Sequence, residues 1–280
     1  MSRRFQLVDV FNQDPLTGNP LAVVLDADDL TTESMMRITR WLNLSETTFL
    51  LSPLHPDADY RVRIFTLDRE LPFAGHPTLG TCHAWIESGG KPRTPSEIVQ
   101  ECGAGLVSVR SIDNGRAFAA PNLIRSGPVD ETKIGEVADF LRIHRASIVD
   151  AQWVDNGPGW VAILLDSAAA VLALEPPRAH VGRMDVGVVG SYPRGAPAAF
   201  ELRAFFTDHL GAVREDPVTG SLNASVAQWL LRSGRASAPY TASQGSRLGH
   251  AGLISITQDA LGAVWVGGRS TTLFSGTCSL

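Results

Sequence analysis

Polar and apolar residues alternate through Tyr60-Arg-Val-Arg-Ile-Phe-Thr66, the period of a strand with one face buried. Alternating or short apolar runs predict further strands over residues 5–10, 21–25, 47–51, 98–102, 106–109, 160–165, 186–189, 199–206, 252–257, 263–267 and 271–275. Helical spacing occurs in four places. Met35, Ile38 and Leu42 point inward from a helix over 32–42 capped by Thr31 or Thr32, and Ile134, Val137 and Leu141 share one face of a helix over 133–142. Leu79, Cys82 and Ile86 recur at i, i+3, i+7 after Gly75, and Leu222, Val226 and Leu230 at i, i+4, i+8 after Gly220. Gly89 and Gly234 suit the left-handed position just past these two helices. Pro77 suits the first turn of one, and Ser221 is a favoured N-cap for the other. Gly127-Pro128 and Gly157-Pro158-Gly159 read as turns. Few helices among many strands indicate an α+β fold.

The pattern repeats once. Glu70-Leu-Pro-Phe-Ala-Gly-His76 and Glu215-Asp-Pro-Val-Thr-Gly-Ser221 share Glu, Pro and Gly in register, and the same offset relates Ser88-Gly89 to Ser233-Gly234. Arg63-Ile-Phe65 resembles Arg203-Ala-Phe205 upstream. A spacing near half the chain is too long for a solenoid repeat and predicts an internal duplication into two similar halves. The boundary is expected near residues 121–128. That gives an N-terminal domain over 1–121 and a C-terminal domain over 122–280, whose last segment is free to pack back on the first.

The length, 280 residues with 44% hydrophobic and 19% charged, suffices for a sizeable core without disulfides. Lys and Arg number 24 against 29 Asp and Glu, a net charge of −5, and no block of like charge occurs. Nucleic acid and membrane surfaces are therefore not expected partners. No apolar stretch is long enough to span a bilayer, and Asp9 interrupts any leader-like segment. Three widely spaced cysteines, Cys82, Cys102 and Cys278, read as a reduced cytoplasmic protein without a disulfide framework or zinc site.

Both repeated motifs sit between a strand and a helix, so Gly75-His76 and Gly220-Ser221 are placed at helix N-termini. Such termini carry unpaired N–H groups and partial positive charge, and glycine lets a ligand approach the backbone. Two of them facing each other would clamp one group of a small acid. Plain turn chemistry is the alternative for either motif alone. Glu46 lies at a helix-to-strand junction, either as an exposed loop glutamate or as a cleft carboxylate able to act as acid and base near neutrality. His76 is a cap or a proton shuttle, Asp216 its acceptor or a surface partner of an arginine, and Ser221 a cap or a substrate contact. Leu71 stands where the second motif has Asp216, which favours a role not shared by both halves. Glu70 and Glu215 read as structural partners of the turns. Ser221, His76 and Asp216 together keep a hydrolase in play, although no Gly-x-Ser-x-Gly elbow occurs. Gly103-Ala-Gly105 lacks the third glycine of a dinucleotide fingerprint, no Walker A lysine is found, and the remaining histidines show no metal-ligand spacing.

With Gly18-Asn-Pro20, Asn43-Leu-Ser-Glu-Thr-Thr-Phe49, Arg63-Ile-Phe-Thr66, Glu70-Leu-Pro-Phe-Ala-Gly-His-Pro77, Asp155-Asn-Gly-Pro158 and the second motif in view, the chain resembles the phenazine-biosynthesis isomerase-like family, of diaminopimelate epimerase-like fold. The resemblance spans essentially the whole chain. It implies two pseudosymmetric, strand-rich barrels, each around a central helix, with the site between them. It places the family's catalytic glutamate on Glu46 and its histidine, aspartate and serine on His76, Asp216 and Ser221. Asn19 and the backbone at Gly75 and Gly220 are implied substrate contacts. No cofactor and no metal are implied, and members are often homodimers. Racemases of the wider fold use two cysteines, whose places here hold Ala74 and Thr219, so two-thiol chemistry is disfavoured. The implied activity is a proton shift on a small cyclic acid, like the isomerisation of trans-2,3-dihydro-3-hydroxyanthranilate. A hydrolase or a non-catalytic small-molecule binder is the alternative. Leu222, where a small alanine is usual, and the divergent segment 207–214 are expected to reshape the pocket.

Overall fold

The computed structural model describes residues 2–279. The first half runs β1 (Ser2–Val10), β2 (Asn19–Val24), α1 (Thr32–Leu42), β3 (Thr47–Leu51), β4 (Tyr60–Phe65), β5 (Glu70–Leu71), α2 (Gly75–Glu87), β6 (Ile98–Cys102), β7 (Gly105–Ile112) and β8 (Gly115–Ala119). The second runs β9 (Arg125–Pro128), α3 (Glu131–Leu141), β10 (Asp150–Asp155), β11 (Val161–Leu165), α4 (Ala168–Leu172), β12 (Asp185–Ser191), β13 (Phe200–Thr207), β14 (Val213–Asp216), α5 (Gly220–Arg232), β15 (Tyr240–Gln244), β16 (Gly252–Gln258) and β17 (Val264–Gly268). β18 (Ser270–Ser279) returns along the whole of β1.

The two halves carry the same order of pairings. β1 is antiparallel to β2, β2 parallel to β3, and β3 antiparallel to β4; β4 pairs antiparallel with β5 and parallel with β6, which continues antiparallel through β7 to β8. β10 through β17 repeat each step, with β13 in the place of β4. β9 on β10 corresponds to β18 on β1, and β8 pairs with β17 to join the halves.

A side-chain device repeats as well. Arg63 donates from Nε and Nη2 to Glu70 at 2.8 and 2.6 Å, and Arg203 does the same to Glu215 at 2.8 and 2.7 Å. Each guanidinium also lies over a phenylalanine of its own strand, Phe65 or Phe205. Glu70 and Glu215 are thus the structural partners expected, each tying a short return strand to its neighbour.

α2 is buried almost all round, from Gly75 through Cys82, and packs on β1, β2, β3, β4, β6, β8 and β18. The sequence predicts one apolar face; the helix instead occupies the middle of its strands, and its polar residues are satisfied there. Thr81 bonds Thr48 at 2.8 Å, and Gln100 bonds Thr78 at 3.0 Å. α5 lies correspondingly among β10, β16 and β17. Gly89 and Gly234, with φ of +97° and +71°, end the two helices as expected.

Other expectations change. Gly127-Pro128 is not a turn but part of β9, an edge strand where proline removes no needed donor. Strands β10, β14 and β15 and helix α4 form where no pattern predicts them. Leu222 is fully buried against Gly187 of β12, not at the pocket: a methyl on Gly187 would sit 2.3 Å from Leu222 Cδ1. No described helix is long and apolar enough to cross a membrane.

Candidate active site

The two central helices begin against each other. A Cβ on Gly75 would lie 2.5 Å from the carbonyl carbon of Gly220, and one on Gly220 would lie 2.8 Å from Gly75 Cα. Contact between the helix ends, rather than approach of a ligand, therefore requires the missing Cβ at both positions. The N-terminal mouths do face each other as expected. The residues they present to the cleft are Ala74, Thr219 and Ser221, with both glycines buried behind.

The cleft, of about 290 Å³, lies between the halves. One wall is the turn from α1 into β3 (residues 43–46) with the β4–β5 turn; the other is the loop before β11, the start of β12 and the β13–β14 turn. Glu46 stands on the first wall. Asn43 in the left-handed conformation (φ 55°) stops α1, and the chain reaches β3 four residues later with Glu46 turned inward. Its side chain is 14% exposed, its Oε2 has no hydrogen-bond partner, and that oxygen is 3.5 Å from His76 Nε2. Glu46 is therefore a cleft carboxyl, not an exposed loop residue. Burial, and then the negative charge of Asp216, push its pKa well above the ordinary carboxylate range.

His76 is buried in the first turn of α2, and burial lowers its pKa to about 3, so the ring is neutral. Close as it is to Glu46, no opposite charge compensates either group: the imidazole is neutral, and the Glu46 carboxyl is biased toward its protonated form. Asn19 is fully buried at the start of β2; its Nδ2 donates to Asp216 Oδ1 at 2.9 Å and to the Val218 carbonyl at 3.0 Å, and stands 3.3 Å from His76 Nδ1. Asp216 also accepts from Thr219 Oγ1 at 2.6 Å. Burial raises its pKa, and these hydrogen bonds oppose the rise. Asn19 thus joins the two halves through the carboxylate that the second motif has in place of Leu71. The registers agree, since Leu71 lies opposite Ile64 as Asp216 lies opposite Ala204.

Ser221 is not a cap. Thr219 holds the N-cap place of α5, and the Ser221 hydroxyl accepts from Trp160 Nε1 at 3.2 Å while its carbonyl accepts from Asn156 Nδ2 at 2.9 Å. Gln244 braces the same turn, donating to the Asp216 carbonyl and accepting from Thr219 N, both at 3.0 Å.

The structure therefore brings the five together: Glu46, Asp216 and Ser221 line the cleft, and His76 and Asn19 lie buried behind Glu46 and Asp216. Sequence reading misses Trp160, Asn156, Gln244, Arg69 and Asp185. Asp185 has a traceable signal. Thr47 lies opposite Phe65 as Val186 lies opposite Phe205, so the residues just before Thr47 and Val186 correspond, and Asp185 is the second half's counterpart of Glu46. It too lines the cleft but is paired with Arg183 at 2.6 Å.

Comparison with known proteins agrees with this architecture. The family model described as phenazine biosynthesis-like protein matches residues 8–276. The Schizosaccharomyces pombe protein called antisense-enhancing sequence 1 is 36% identical over 97% of this chain and 97% of its own. A trans-2,3-dihydro-3-hydroxyanthranilate isomerase of Pseudomonas aeruginosa is 36% identical over 82% of this chain and 80% of its own. Among solved structures, a predicted epimerase of the same bacterium superposes with a TM-score of 0.78 at 28% identity, covering 99% of both chains.

Proposed function

The chain belongs to the phenazine biosynthesis-like family and is an isomerase with the α+β, epimerase-like fold of that family, and from that premise we propose that it shifts a proton within a small cyclic acid, with Glu46 as the carrier. One observation carries the reading. Glu46 lines the cleft with a carboxyl whose Oε2 has no hydrogen-bond partner, and burial raises its pKa well above the ordinary carboxylate range, so that it can hold a proton as well as take one. The ionised carboxylate takes a proton from a substrate carbon and becomes the acid that returns it at a second carbon on the same face. The electron pair left by the first bond moves through the substrate's unsaturation to the second carbon.

Neutral His76, its Nε2 3.5 Å from Glu46, polarises the groups at this exchange, and Asp216, held by Asn19 and Thr219, orients the substrate's polar groups. Ser221, fixed by Trp160 and Asn156, binds another of them. The reaction class is that named for the Pseudomonas aeruginosa relative. A hydrolase reading is weaker, because the Ser221 hydroxyl is engaged by Trp160 and among the described residues no histidine nitrogen bonds it. The test is turnover of trans-2,3-dihydro-3-hydroxyanthranilate and related cyclic amino acids by wild type and Glu46→Gln. The variant is expected to lose about 10²–10⁴-fold in kcat. Near-wild-type turnover rejects the assignment.

A further inference from the structure

Three guanidinium groups line the cleft, and two are matched. Arg183 pairs with Asp185 at 2.6 Å and Arg214 with Asp208 at 3.1 Å. Arg69, in the β4–β5 turn just before Glu70, has no carboxylate in ion-pair contact among the described residues. Its Nη2 donates to the Pro158 carbonyl at 3.1 Å, and Arg183 Nη2 donates to that same oxygen at 3.0 Å. Two cations thus share one neutral acceptor.

The acids nearby are spent. Asp155 accepts the amides of Gly157 and Gly159, Asp185 holds Arg183, and Asp68 is paired with His209. Burial, and next the charge of Arg183, lower the pKa of Arg69, against the opposing charges of Asp185, Asp155 and Asp68, none of which pairs with it. A partly buried cation facing another cation has an unmet demand for negative charge. Most of its five N–H donors remain free, in the planar fork that fits a carboxylate or phosphate. The placement is functional, because Pro158 belongs to the loop whose Asn156 and Trp160 hold Ser221.

We propose that Arg69, backed by Arg183, is the specificity-determining residue of this cleft and reads an acidic group, carboxylate or phosphate, on the substrate. This rests on the reading of the cleft as the catalytic site. An anion there answers both guanidinium groups at once, and charge-assisted pairs of this kind are the strong ones. A neutral analogue leaves them facing each other.

The test is calorimetric titration of wild type, Arg69→Gln and Arg69→Lys with 3-hydroxyanthranilate and with its primary amide. Wild type is expected to bind the acid about ten- to a hundredfold more tightly than the amide. Arg69→Gln should bind both alike, with amide affinity within about twofold of wild type, and Arg69→Lys should recover part of the preference. Inorganic phosphate separates the two sources. Displacement of the acid by phosphate in wild type but not in Arg69→Gln assigns a phosphate-bearing substrate, and no displacement assigns a carboxylate. An acid preference that survives in Arg69→Gln overturns the proposal, as does a wild type that shows no preference or binds neither probe. Turnover that depends on Glu46 while the acid preference ignores Arg69 sinks this inference alone. Loss of both sinks the catalytic reading with it.

Discussion

Gly75→Ala and Gly135→Ala are the same substitution in two helices, and the structure gives them opposite signs. At Gly75 the new methyl meets the Gly220 carbonyl carbon at 2.5 Å, its Cα at 2.6 Å and Ser221 N at 2.8 Å. Carbon atoms rest about 3.5–4.0 Å apart, so the helix ends must separate by about 1 Å. Every atom met is backbone, so no side chain can rotate aside. Overpacking of this kind costs about 3 kcal/mol, offset by the 0.5–1 kcal/mol or so that alanine gains over glycine in a helix, for a net loss of about 2 kcal/mol. At Gly135, in α3, nothing lies within 4 Å of the added methyl, and only the gain of about 0.5–1 kcal/mol remains. Urea unfolding followed by tryptophan fluorescence reads both as shifts of midpoint at constant slope. Gly75→Ala should also lose activity, because its displacement moves His76 relative to Ser221. A Gly75→Ala protein as stable as Gly135→Ala would refute the claim that the two helix mouths are in contact.

The raised pKa of Glu46 makes a prediction about stability. Between the ordinary carboxylate range and that higher value, the folded state keeps a proton the unfolded state has lost, so stability falls as pH rises, by about 1.4 kcal/mol per unit. Glu46→Gln removes this slope, and its advantage over wild type in urea melts should grow with pH across that window. His76 has the opposite sign: folded near 3 and unfolded near 6.5, it costs stability as pH falls between them, and His76→Asn should flatten the acid limb of the same curve. The repeated ion pairs differ by burial. Arg203 and Glu215 are 4% and 11% exposed, so Arg203→Met should cost about 3–5 kcal/mol, whereas Arg63→Met, from a pair 25% and 39% exposed, should cost about 1 kcal/mol or less in the same melts. Gly187→Ala and Leu222→Ala should each destabilise, by about 1–3 and 2–5 kcal/mol, and the double variant should cost less than their sum because the methyl enters the space the leucine leaves.

Much of the fold is legible where burial is one-sided. The alternation at 60–66, the apolar runs of β2, β3, β11 and β12, and the glycines that end the two central helices all follow from local pattern. The failures have physical causes. β9 and β14 are four-residue strands with no room for a period, and β9 contains a proline that reads as a turn until an edge position excuses it. The central helices carry one-face spacing in sequence but are buried all round, since Thr78 and Thr81 find partners that only the fold supplies. Glu46, His76, Asp216 and Ser221 are readable because they sit in or beside motifs. Their supports are not: Trp160 and Gln244 reach the site from strands and loops far along the chain, and the kinship of Asp185 with Glu46 exists only in strand register. Ser221 shows the limit of local rules, being a good cap residue that lies two positions past the cap of its helix and bonds Trp160 instead.

The central claim is that a single carboxyl carries the migrating hydrogen. Substrate deuterated at the carbon that loses its proton, converted in ordinary water in a single turnover and examined by NMR, tests it most directly. A measurable share of the deuterium should reappear at the second carbon, on the same face, and Glu46→Gln should form almost no product. Product formed with all of the label in the solvent, or formed at the wild-type rate by Glu46→Gln, would contradict the account.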